Sequence, residues 1–202
     1  MPPDSDRSQE DVDEILRSLR PARPPRSGPA LVVVSGLPGT GKSSFCRDLR
    51  HRTGAVILES DSLRKLLFPR PSYSWQESRR LFDAIHAAIE RLLQGGVSAI
   101  LDATNLVERH REPLYEIAAI AGARLVLVEV TAPPEVVVSR LASRSGVSDA
   151  DVAVYQRMRR SAEEMGREHF VVDTSQPTRP LLDAISREMG SSRPEEDNKK
   201  AL

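Results

Sequence analysis

Eight consecutive residues carry the strongest chemical signal in the chain: Gly36-Leu37-Pro38-Gly39-Thr40-Gly41-Lys42-Ser43. The pattern is G-x-x-x-x-G-K-S, with an apolar run before it and a helical segment after it, the context in which this pattern binds phosphate. Glycines at three of the eight positions let the backbone approach an anion without Cβ clashes. Loop N–H groups and the following helix N-terminus, at Ser43 and Ser44, then point at the phosphates. Lys42 supplies a point charge for the β- and γ-phosphates, and the Ser43 hydroxyl is a ligand for Mg²⁺. These residues imply ATP or GTP with Mg²⁺ at this loop. They do not say what becomes of the nucleotide.

Further candidates stand at the ends of other apolar runs. Asp61, in Ser60-Asp61-Ser62-Leu63-Arg64, has the position to accept a proton from an attacking hydroxyl. Arg64 lies one helical turn on and shares its face, ready to hold an anionic acceptor. The competing reading makes Asp61 a helix N-cap and leaves Arg64 on the surface. Asp102 ends the run Ile100-Leu101-Asp102, which suits an outer-shell partner of Mg²⁺ or an acceptor contact. A helix cap is again the rival, with Thr104 and Asn105 competing for that job. Ala103 follows Asp102 where many motor-type ATPases carry a water-activating Glu, which favours transfer to a hydroxyl over hydrolysis. Arg140 and Arg144 are four apart and share a helix face before Ser145-Gly146. They suit a lid that offsets phosphoryl charge and excludes water; a solvated basic face is the alternative in so Arg-rich a chain.

The elements that must position these residues are legible from hydrophobic periodicity. Apolar runs at 31–36, 55–60, 98–104, 124–131 and 169–175 read as strands, the first buried on both faces. Between them, helices are predicted from 42 to 51, 76 to 94, around Leu114–Ala121, from 135 to 144, from about 148 to 165, and from 180 to 189. In the longest, Leu81, Phe82, Ile85, Ala88, Ile89, Leu92 and Leu93 make one face. Strand–helix alternation implies an α/β fold with a parallel sheet, and ligands then sit beyond the carboxyl ends of the strands.

The 202 residues have formal net charge +0, with 39% hydrophobic and 29% charged residues. That bounds the chain to one globular domain with tails and argues against a global polycation for nucleic acid. Basic residues are 25 Arg and 4 Lys, a compositional bias in which Arg abundance alone says little. A single cysteine, Cys46, excludes a disulfide framework within the chain, and the four histidines show no metal-ligand spacing. No apolar run reaches membrane-span length and the start is polar, so a cytoplasmic setting without membrane contact is expected. Residues 1–29, with 6 of the 15 prolines, are expected to form a flexible arm. The alternative there is a short docked helix through Val12, Ile15, Leu16 and Leu19. Residues 190–202 read as a disordered tail, leaving 30–189 as the folded body.

GLPGTGKS, SDSLR, LDATNL, the Arg140–Arg144 pair and FVVDTS occur in this order across about residues 30–185. In this the chain resembles the polynucleotide-kinase-like P-loop kinases. That group includes AAA-type ATP-binding kinases, 5′-hydroxyl polynucleotide kinase domains and small-molecule kinases such as chloramphenicol phosphotransferase. The resemblance implies a five-stranded parallel sheet of order 2-3-1-4-5 sandwiched by helices, with a small helical lid at about 139–160. It implies Asp61 as general base, Arg64 and Asp102 (with Asn105 of the same motif) on the acceptor side, and Arg140 and Arg144 as lid arginines. A departure is the short turn Ser145-Gly146-Val147, where many relatives carry a longer and more basic segment.

The expected activity is an ATP-dependent kinase, with a polynucleotide 5′-hydroxyl as leading acceptor and a metabolite or antibiotic as alternative. An ATP-binding switch without transfer and a water-directed NTPase are the remaining readings. The segment 68–76 holds the sole Trp, Trp75, and one of three Tyr, Tyr73. These would stack on a base or sugar, with Arg79 and Arg80 adding phosphate contacts. The favoured reading is instead an aromatic staple with Trp75 buried.

Overall fold

The computed structural model describes residues 4–19, 28–143 and 149–190. Its described residues form one five-stranded sheet of order β2-β3-β1-β4-β5, every neighbouring pair parallel. The strands are β1 (Ala30–Ser35), β2 (Val56–Glu59), β3 (Ala99–Asp102), β4 (Arg124–Thr131) and β5 (Phe170–Asp173). The helices are α1 (Asp4–Ser18), α2 (Lys42–Thr53), α3 (Ser60–Leu67), α4 (Trp75–Gln94), α5 (Glu108–Ile120), α6 (Pro134–Ala142), α7 (Asp149–Ser161) and α8 (Arg179–Gly190). The parallel sheet and its order match the expectation.

Side-chain alternation on the central strand divides the core in two. Leu31 and Val33 of β1 join a cluster with Leu81, Ile85 and Ile89 of α4 and Leu114 of α5. Ala30, Val32 and Val34 face the opposite layer, with Phe45, Cys46 and Leu49 of α2 and Leu182 and Ile185 of α8. All six β1 residues are therefore buried, as a strand covered on both faces must be.

The N-terminal segment departs from the expected flexible arm. Residues 4–18 are helical, and Val12 and Ile15 sit in the α4 core cluster at 2% and 0% exposure. Asp11 is buried, and both its oxygens accept from Arg80 of α4 at 2.6 Å. Arg91 of α4 reaches Gln9 and Asp13. The apolar stripe of α4 is thus closed by α1, which outweighs the low intrinsic stability of so short a helix. Residues 20–27 and 191–202, which complete the arm and the expected C-terminal tail, lie outside the described residues.

The helix expected to run to about 165 ends at Ser161. Beyond it, the Glu163 N–H donates to Leu106 O at 2.9 Å, and the Glu163 carboxylate accepts from the Glu108 N–H at 2.8 Å. These bonds across the chain replace the helical ones and dock the segment after α7 on the β3–α5 connection.

Ile15→Ala is expected to lower the unfolding free energy by about 2–5 kcal/mol, read from a urea midpoint. An unchanged midpoint would mean that α1 is not part of the folded core.

Candidate active site

The phosphate-binding loop leaves β1 with no room for side chains. A Cβ on Gly36 would lie 2.3 Å from the backbone oxygen of Val130 at the end of β4. The Gly36 N–H is itself bonded to Thr104 O at 3.1 Å, beyond the end of β3. The loop therefore starts pinned between the exits of both neighbouring strands. Gly41, with φ +93, turns the chain into α2, and a Cβ there would lie 3.2 Å from Thr174 Oγ1. Within the loop, Thr40 Oγ1 donates to Leu37 O at 2.8 Å and Lys42 Nζ donates to the same oxygen at 2.9 Å. The Lys42 charge is thereby kept at the loop. Pro38 and Leu37 are half-buried there, Gly39 is buried, and Ser44 on α2 is exposed.

Asp102 ends β3 directly opposite Val34 of β1. It is buried at 4% exposure and hydrogen-bonded to the Ser43 side chain. Burial pushes its carboxyl above the ordinary value; the Ser43 bond and the Lys42 charge only partly offset this, and Glu59 and Asp61 push further upward. Its Oδ2 is buried and has no hydrogen-bond partner. An orphaned carboxylate oxygen beside a serine hydroxyl, within reach of the phosphate loop, fits a hard divalent cation such as Mg²⁺. The fit rests on that unpartnered atom and on an all-oxygen donor set.

Arg140 of α6 is brought to the phosphate loop. Its guanidinium donates to Thr174 Oγ1 at 2.7 Å, to Thr174 O at 3.0 Å and to Thr40 O at 3.3 Å. Thr174 Oγ1 in turn donates to Thr40 O at 2.6 Å. Arg140 thus ties the end of β5 to the loop. Arg144 lies outside the described residues.

On the β2 side, Asp61 is exposed in the first turn of α3, with Glu59 in the N-cap position. Arg64 is not on the surface: it is 7% exposed, and its Nη1 donates to Glu77 Oε1 at 2.6 Å. Its charge is shared with Glu77, a buried carboxylate that also accepts from the Ser72 and Tyr73 amides and the Ser72 hydroxyl. Burial pushes the Glu77 carboxyl up, but these donors win and hold it at about 2. Asn105 departs from the expected acceptor role. It is 3% exposed with φ +44, its amide donates to Val34 O at 3.0 Å, and its own carbonyl accepts from Ser35 and Arg111. It latches the β3 exit to β1.

Three features escaped the sequence reading. A cavity of about 180 Å³ beside the phosphate loop is lined by Gly36, Leu37, Thr40, Glu129, Tyr155 and Arg159. Tyr155 and Arg159 are four apart on α7, the same spacing that singled out Arg140 and Arg144, and Tyr155 packs on Val137 and Leu141 of α6. Arg111 is 1% exposed and bridges Asn105 O, Glu108 and Glu164 O, joining the β3 exit to the lid's return. Trp75 is 70% exposed and Tyr73 64%, which overturns the expected buried aromatic staple. Cys46 is fully buried, and burial first, with the Asp102 charge adding to it, pushes its thiol well up, as expected of an inert core thiol.

Two outcomes follow from these environments. Asp102→Asn is expected to weaken Mg²⁺-dependent nucleotide affinity by about 10–100-fold while sparing Mg²⁺-free binding, in titrations with and without the cation. Equal loss in both would remove Asp102 from the cation site. Glu77 is held below its ordinary value near 4.5, so its stabilisation is present above that value and is lost as pH falls towards about 2. Trp75 fluorescence is expected to report release of the neighbouring loop over that window, and Glu77→Gln to abolish the transition.

Among the described residues, no helix is long and apolar enough to cross a membrane. The chain is 30% identical over 173 residues to the protein KTI12 homolog of Mus musculus, covering 79% of this chain and 48% of that one. It is 29% identical over 117 residues to the L-seryl-tRNA(Sec) kinase of Methanococcus maripaludis, covering 54% and 44%. The matched region thus spans about half the length of these two relatives. Among solved structures it is similar to the Mycobacterium tuberculosis APS kinase CysC in complex with AMPPNP and APS. That match has a TM-score of 0.63 and 16% identity, and covers 82% of this chain and 99% of the other. This likeness is one of fold, the P-loop kinase fold. The AAA domain family AAA_33 matches residues 31–165, from β1 through the lid, and the chain belongs to that family.

Proposed function

We propose that this chain is an ATP-dependent kinase that transfers the γ-phosphoryl group to a hydroxyl, with a polynucleotide 5′-hydroxyl as its leading acceptor. The observation that carries the reading is Asp61. It is an exposed carboxylate in the first turn of the helix leaving β2, electrostatically coupled to Asp102 at the cation site. An accessible carboxylate at that place is suited to take the acceptor's proton. Ala103 follows Asp102 where many motor-type ATPases carry a water-activating Glu, which supports transfer over hydrolysis.

In this reading the loop holds ATP by backbone N–H groups and Lys42. Ser43 and Asp102 would hold Mg²⁺, which when bound neutralises charge on the β- and γ-oxygens. Asp61 accepts the proton from the acceptor hydroxyl as that oxygen bonds to the γ-phosphorus. The bond to the β–γ bridging oxygen breaks and ADP leaves. Lys42 and Arg144 stabilise the transferring charge, and Arg140 supports the loop at Thr40 and Thr174. Arg64, paired with Glu77, positions the acceptor side and does not face an anion unaided. The name of the M. maripaludis relative places that kinase's acceptor on a tRNA, which supports a nucleic-acid acceptor here.

The test is transfer from γ-labelled ATP with Mg²⁺ to 5′-hydroxyl RNA and DNA oligomers. Labelled oligomer is expected, with Asp61→Ala losing about 10²–10⁴ in rate while keeping ATP binding. Unchanged transfer in the variant would overturn the general-base assignment. Transfer to a small-molecule hydroxyl panel and to no oligomer would overturn the polynucleotide acceptor and keep the kinase.

A further inference from the structure

The connection between α3 and α4 holds a tyrosine in a backbone conformation that tyrosine seldom adopts. Tyr73 has φ +54, one of two described non-glycine residues with positive φ. The conformation is imposed by Glu77, whose carboxylate accepts from the Ser72 N–H at 2.6 Å, the Ser72 hydroxyl at 2.8 Å and the Tyr73 N–H at 3.3 Å. Glu77 is itself fixed by Arg64 from below and by Ser74, which accepts from its N–H at 3.2 Å. A buried network therefore over-determines a strained turn, a situation that points from strain to use.

That turn puts two aromatic rings in solvent. Tyr73 and Trp75 are 64% and 70% exposed, whereas the other tyrosines, Tyr115 and Tyr155, are 6% and 4% exposed. Each ring is backed by a guanidinium. Arg64 lies 4.9 Å from the Tyr73 ring centroid and Arg79 lies 5.5 Å from that of Trp75. Arg70 is exposed in the same connection. Arg80, by contrast, is taken up by Asp11 and lies over Phe68, so it belongs to the core and not to this surface. Arg64 links the two regions physically: it sits on the helix that carries Asp61 and ends beneath Tyr73.

An exposed aromatic face with a cation behind it attracts a flat, π-rich partner that also carries negative charge. Unpaired nucleotides have both properties, a base for the rings and a phosphate for the exposed Arg70 and Arg79, the latter also 3.7 Å from Asp83. A paired duplex hides its base faces and does not fit. We propose that Tyr73 and Trp75, each backed by an arginine, form a stacking platform for unpaired bases of a single-stranded nucleic acid beside the Asp61 helix. This deepens the proposed kinase reading by naming what holds the acceptor strand, and it rests on that reading for its purpose. It does not rest on it for its test, because binding is measured without transfer.

Trp75 is the sole tryptophan, so its fluorescence reports the platform directly. The full chain without ATP is titrated with a ten-nucleotide 5′-hydroxyl oligoadenylate. Saturable quenching is expected, weakened about tenfold by Tyr73→Asn and largely kept by Tyr73→Phe. Asn tolerates positive φ better than Tyr, so a loss of binding in that variant is not a loss of fold; its urea midpoint is expected to hold or rise. An abasic oligomer of equal length and the matching duplex are expected to quench weakly. Trp75→Phe, followed by anisotropy of a labelled oligomer, checks the site without the tryptophan reporter. Absence of saturable quenching, equal binding of the abasic strand, or unaltered affinity in Tyr73→Asn would each overturn the platform. Quenching in a protein that transfers phosphate to no oligomer would keep the platform and overturn the polynucleotide-kinase reading.

Discussion

Because β1 pairs with β3 on one side and β4 on the other, Val34 lies opposite Asp102 and Ser35 lies opposite Glu129. From this register the rest of the site follows. The loop after Ser35 must emerge between two strand exits, where Val130 O leaves no space for a Cβ and Thr104 O waits for an N–H. Asp102 is carried to the first turn of α2, where Ser43 meets it. A one-residue slip would point Asp102 into the opposite layer and away from Ser43, because strand side chains alternate. The apolar residues of β1 matter to chemistry in this indirect way: they fix the register that aligns the polar ones.

The carboxylates around the acceptor side are separated by environment. Asp102 is buried and pushed upward by burial, whereas Asp61 stands exposed on a helix. Glu77 is buried like Asp102 but surrounded by donors, and is pulled strongly the other way. In the proposed function, residues of nearly the same chemistry thereby receive three duties: holding a cation, receiving a proton, and fixing a loop. The third duty explains why Arg64, one turn from Asp61, is drawn inward.

Strands were readable because a parallel sheet buries both faces, and β1 and β4 are almost unbroken runs of Val and Leu. The phosphate loop was readable because its chemistry demands glycine at fixed steps. The docking of α1 was legible only as the less favoured alternative, since Val12 and Ile15 make a short stripe whose partner, the α4 face, lies some seventy positions away in sequence. Asn105 and Arg111 were not legible for a related reason. Polar side chains that satisfy buried carbonyls look in sequence like polar side chains that await a ligand, and only the partners at Val34 and Asn105 tell them apart. Trp75 failed in the opposite direction: tryptophan is usually buried, and the exception becomes visible only with the Glu77-anchored turn.

The segment expected to form a lid is tied down on both sides of its span. On entry, Arg140 is tied to Thr40 and Thr174; on exit, Glu163 is tied to Leu106 and Glu108. A segment held this way behaves as a beam with fixed ends and not as a door on one hinge. Moving the whole segment away from the sheet would break the bonds at one of these ends. The ordering entropy of these two ends is already lost in the fold and is not lost again on binding. Through the same bonds one segment touches both the phosphate loop, at Thr40, and the β3 exit, at Leu106.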